Sequence, residues 1–168
     1  MADAQSTLIE CGYDALERMG LDSVRWLCIG YALHDLRGHE ATFEIARRGL
    51  GEELGIRFAA RVSDLMLAIR RDRPSPFRFN DPACPACRHR IAPHERSVID
   101  LVRAMRRRRP AEAEVCAMII LEGCPTQPLL RAAAAVGETM SLIDRANVSH
   151  AQISKATDDV RRSVRLLP

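Results

Sequence analysis

Aromatic residues are scarce, at 4% of the chain: four Phe, two Tyr and one Trp. So few flat side chains leave little to stack on bases, which weighs against recognition of single strands. Lysine is nearly absent too, Lys155 being the only one. A GC-rich coding genome produces the same skew, so arginine in its place is no sign in itself of bidentate phosphate recognition. No run of 18 apolar residues occurs, and the opening Met-Ala-Asp-Ala-Gln-Ser has neither the charged nor the apolar region of a signal peptide. The expectation is a cytoplasmic protein with no membrane partner, its six cysteines reduced and either metal-binding or buried. A phosphate-cradling glycine loop, Gly-x-Ser-x-Gly and His-Glu-x-x-His are all missing. With no catalytic constellation visible, the chain reads as non-enzymatic.

Internal repeats and strand-like alternation are also absent, and what remains is helical periodicity. At 168 residues and 47% hydrophobic, the chain can bury one core. Ser6 or Thr7 is expected to cap a peripheral helix stopped at Gly20, and Asp22 or Ser23 a second, central one through Leu33. A shorter helix spans His39 to Arg48. The next, from about Glu53 to Arg71, sets Leu54, Phe58, Val62, Leu65 and Ile69 on one face. Three prolines between Asp72 and Pro82 break the helix. Further helices follow from Pro93 to the Arg106–Arg109 run, from Ala111 to Glu122, and from Thr126 to about Arg145. The fold class is therefore all-α: a bundle of about six helices in a single domain, 1–146 (helical 7–71 and 96–146, with a loop between), then a mobile or short helical tail, 147–168.

The central loop 80–95 holds the most specific signal. Cys84-Pro-Ala-Cys87 can bring two thiolates onto one ion, and His89 and His94 have a spacing used by paired histidine ligands. A structural Zn2+ held by Cys84, Cys87, His89 and His94 is the expectation. It is not a standard finger, because one residue separates Cys87 from His89 where a finger has about a dozen. Cys116 or Cys124 is an alternative completion. Eight residues apart, they would lie ~12 Å from one another on a continuous helix, so an iron–sulfur cluster from all four cysteines needs a break at Gly123. Covalent haem and deaminase motifs fail, and a redox dithiol would want Cys84 at a helix N-terminus. Cys11 and Cys28 read as buried small hydrophobes.

Charge is unevenly distributed. Residues 56–110 carry fourteen Arg against five acids, a net +9 between flanks of −5 and −1. Arg70, Arg71, Arg88, Arg90, Arg106, Arg107, Arg108 and Arg109 are the candidate phosphate contacts of a nucleic-acid face, although the acidic first third of the chain is itself a possible partner. Phe43 to Ile69 is the one place for a helix-turn-helix, with Gly49 to Gly55 as its turn. The function expected is a zinc-stabilised helical regulator of transcription type that binds an acidic partner, DNA before protein. Its alternative is a protein-binding adaptor or assembly factor with a purely structural zinc. A homo-oligomer through the exposed apolar side of the alanine-rich helix completes the expectation.

Overall fold

The structure, a computed structural model, describes residues 7–165, and side chains as far as 164. Among these residues it is all-helical, with seven helices rather than six and no strand beyond an isolated bridge between Thr7 and Arg90. They are α1 (Ala15–Leu33), α2 (Arg37–Leu50), α3 (Glu52–Asp72), α4 (Pro93–Arg106), α5 (Pro110–Leu121), α6 (Gln127–Arg145) and α7 (His150–Arg165). None is long and apolar enough to cross a membrane.

The first two expected helices are one. Asp14, not Ser6 or Thr7, caps α1: its carboxylate accepts from the Glu17 N–H at 2.8 Å, and Glu17 reaches back to the Asp14 N–H at 3.0 Å. Ser6 lies outside the described residues. Gly20 continues the helix because α1 crosses its neighbours there, where an added Cβ would already touch Met140 at 3.6 Å. Asp22 and Ser23 cap nothing and are buried within the helix. As expected of a central element, α1 packs on α2, α3, α4 and α7.

Helices α2 and α3 are joined by Gly51 alone, at φ 81°. A helix-turn-helix needs a turn of three or four residues, so this hairpin is not one. Gly55, expected in that turn, lies inside α3, where an added Cβ would come within 2.6 Å of the Ala46 carbonyl oxygen. The α3 face holds as read, with Phe58, Val62, Leu65 and Ile69 buried and Leu54 against them.

The alanine-rich α6 packs on α3 and α4, burying Leu129, Ala133, Val136, Met140 and Ile143. That side is core, with Leu130, Ala132, Ala134 and Ala135 half-buried beside it. The stretch from 147, expected as a mobile or short helical tail, carries the sixteen-residue α7. That helix buries Ile153, Ala156 and Val160 against α1 and α2, and its Arg161 reaches the buried Asp22 at 2.5 Å.

Candidate functional site

The loop between α3 and α4 is shaped by a buried charge pair. Arg25 of α1 donates from Nε to Glu95 Oε1 at 2.7 Å and from Nη2 to Oε2 at 3.0 Å, and neither side chain is exposed. Its remaining donors take the Arg88 carbonyl at 2.9 Å and the Arg90 carbonyl at 2.5 Å. Glu95 in turn accepts from the backbone N–H groups of Asn80 and Ala92, each at 2.7 Å. A buried guanidinium and a buried carboxylate are tolerable only when so fully bonded. Together they fix both ends of the loop that carries Cys84 and Cys87.

Within it the two sulfurs converge to 2.7 Å. The Cys87 thiol and then the Cys87 and Ala86 backbone N–H groups stabilise a thiolate at Cys84 and lower its pKa, while the bonded partnership with Cys84 raises that of Cys87. The histidines do not join them. Arg78 N–H donates to His94 Nδ1 at 2.8 Å, which makes that nitrogen the acceptor, and the Arg73 guanidinium lies 3.1 Å from Nε2. Burial first, then the charges of Arg73 and Arg78, lower the His94 pKa. His89 is exposed and accepts from Arg88 Nε at 3.1 Å. Among the described residues no group of three or more His, Cys, Asp or Glu is placed to hold a metal ion. The four expected ligands are therefore not gathered into one group here, nor is Cys116 or Cys124 gathered with the two thiols.

Of the expected arginine face, Arg106 is turned inward, while Arg70, Arg71, Arg90, Arg107, Arg108 and Arg109 are exposed, several of them beside a local partner. Arg71 pairs with Asp72 at 2.7 Å, and Arg109 with Glu112 at 3.2 Å. Arg70 lies over the Tyr31 ring at 4.7 Å. The Arg88 side chain donates to His89 at 3.1 Å, and Arg90 is exposed. Arg106 bridges Asp14 at 2.7 Å and Asp144 at 2.6 Å, and Arg103 meets the buried Glu17 at 2.7 Å. The acidic first third is thus a partner of the basic middle. Arg107 and Arg108 remain exposed, with Glu17 at 4.0 Å from Arg107.

One surface went unread. Helix α5 buries Ala113, Ala117, Ile120 and Leu121 against α4, α6 and α3, while Val115, Met118 and Ile119 on its outer face are each more than half exposed. The sequence signal was there: Val115 to Leu121 has no charged residue, so no polar face was available to turn outward. Beside this row, between α4 and α5, lies a groove of about 460 Å³ bordered by Arg103, Arg107, Arg109, Val115 and Cys116. Compared with protein-family models, with curated proteins and with solved structures, the chain matches none of them.

Proposed function

We propose that this protein is a non-enzymatic adaptor that takes an acidic, amphipathic helical segment of a partner protein across α5 and the α4–α5 groove. The observation that carries the reading is the row of Val115, Met118 and Ile119, exposed by 56%, 53% and 57%. Single exposed apolar residues need no explanation, but three within two helical turns make a patch of the kind that marks protein contact. Arg103, Arg107 and Arg109 line the neighbouring groove together with Asp100 and Glu112, so the rim carries a small excess of positive charge, with Arg107 the most loosely paired of the three, beside the apolar row. That combination suits a helix laid in a groove, with its apolar side inward and its acids toward the arginines. The regulator that binds DNA is the weaker reading, because Arg71, Arg106 and Arg109 already have carboxylate partners.

Anisotropy titrations distinguish the two. The probes are a panel of labelled acidic amphipathic helical peptides and a labelled DNA duplex, each at two salt concentrations. Expected is saturable binding of at least one peptide, abolished by Met118→Glu, with no DNA binding. Duplex binding that falls steeply with salt and ignores Met118→Glu overturns the adaptor in favour of the nucleic-acid regulator. A panel in which no peptide binds overturns it as well.

A further inference from the structure

Beyond the loop's Cys84–Cys87 corner and the α5 face, the chain holds a second concavity. Three prolines keep residues 74–82 out of any helix, yet this segment is firmly held. Arg73, whose side chain is 4% exposed, donates to Glu122 at 2.6 Å, to the Ser75 carbonyl at 3.0 Å and to the Ile120 carbonyl. The Phe77 ring lies 5.4 Å from that of His94, and Asn80 is tied to Glu95. Between this segment and the facing ends of α1 and α3 is a cleft of about 430 Å³, within the roughly 300–1,000 Å³ usual for small-molecule sites.

The interior is apolar. Cys28, Met66 and Ile69 line it from the helices, and Phe77 and Phe79 from the segment. Burial, then the Glu95 charge, pushes the Cys28 thiol up to about 12, so it stays uncharged. At the edge, Arg70 lies 4.7 Å over the Tyr31 ring. Its neighbours on α3 are neutralised, Arg71 by Asp72 and Arg73 by Glu122, whereas Arg70 has no carboxylate partner among the described residues. A pre-formed apolar cleft edged by one uncompensated guanidinium selects a ligand with the opposite pattern.

We propose that this cleft binds a small hydrophobic carboxylate, its apolar body against Phe77 and Phe79 and its carboxylate on Arg70. The cleft shares no lining residue with the α4–α5 groove, so the site stands independently of the adaptor reading.

Calorimetric titration of the full chain with 2-naphthoate and with the uncharged 2-naphthalenemethanol tests it. Wild type is expected to bind naphthoate saturably. The exposed Arg70→Gln should weaken naphthoate about tenfold, the scale of one lost charge-assisted hydrogen bond, and leave the alcohol unchanged. Ala32→Trp, at an exposed position on the cleft wall, should block both ligands while the circular dichroism spectrum stays that of the wild type. No saturable binding, an Arg70→Gln loss equal for both ligands, or undisturbed binding to a folded Ala32→Trp protein overturns the proposal.

Discussion

Arg25 and Glu95, 70 residues apart in sequence, form a two-point ion pair at 2.7 and 3.0 Å with no solvent access to either side chain. Removing one partner strands the other charge in the interior, which costs about 3–5 kcal/mol. Arg25→Met and Glu95→Leu should each lower the urea midpoint by that equivalent. The double variant should recover only part, because the Arg88 and Arg90 carbonyls and the Asn80 and Ala92 N–H groups lose partners too. A chelator added to the wild type should leave the midpoint unmoved. A drop matching that of Glu95→Leu would return the stapling role to a metal.

Acid should weaken the junction of α1 with α4. Burial pushes the Asp14 carboxyl up, but the Glu17 N–H and the Arg106 guanidinium outweigh it and hold its pKa below the ordinary 3.8. A carboxyl lowered in the folded state adds stability that is whole above its unfolded pKa and disappears as pH falls through the folded one. Denaturation followed from pH 6 to pH 2 should therefore show a loss of stability in the acid range. In Asp14→Asn that loss should be smaller. Parallel curves for the two proteins would rule the contribution out.

The thiols should separate by reactivity. Cys84, its thiolate stabilised by the Cys87 thiol and by the Cys87 and Ala86 N–H groups, should be alkylated before Cys87 under limiting iodoacetamide, as read by peptide mass spectrometry. Cys87→Ala removes the principal donor and should slow the Cys84 reaction near neutral pH. Cys28, buried and raised to about 12, should stay unmodified until the protein unfolds. Equal labelling of Cys84 and Cys87 would contradict the assigned asymmetry.

Gly38 sits where α2 crosses α1. An added Cβ would overlap the Trp26 carbonyl oxygen and come within 2.6 Å of the Gly30 backbone nitrogen. Backbone atoms cannot swing aside, so Gly38→Ala should force the helices apart at a cost at the upper end of the ~1–3 kcal/mol typical of overpacking. Thermal melting gives the comparison. Gly12→Ala is a useful contrast, because an added Cβ there meets nothing within 4 Å and the cost arises only from its φ of 58°.

Local pattern made α3 legible, since Phe58, Val62, Leu65 and Ile69 return to one face at helical spacing and are buried as that spacing implies. The break at the prolines and the approach of Cys84 to Cys87 were legible for the same reason, each being decided within a few residues. Gly20 and Asp22 were misread because what decides them is distant. Gly20 is accommodated by a helix crossing near Met140, and Asp22 is compensated by Arg161, 139 residues further along. The histidines show the same limit: His94 has permissible spacing, but the position of its ring, under the Arg78 N–H and beside Arg73, is not something spacing reveals. The arginine surplus was readable, whereas its division among Asp14, Glu17 and Asp144 depends on which helix ends meet.

Because the carbonyls and N–H groups at both margins of residues 80–92 converge on a single guanidinium and a single carboxylate, the segment has no graded way to come loose. Its amides should trade hydrogen for deuterium together, with one shared opening free energy, instead of fraying inward from the tip. Cys84 and Cys87 are half-exposed and open to solvent throughout, so what waits for that one event is the release of the loop's margins from Arg25 and Glu95.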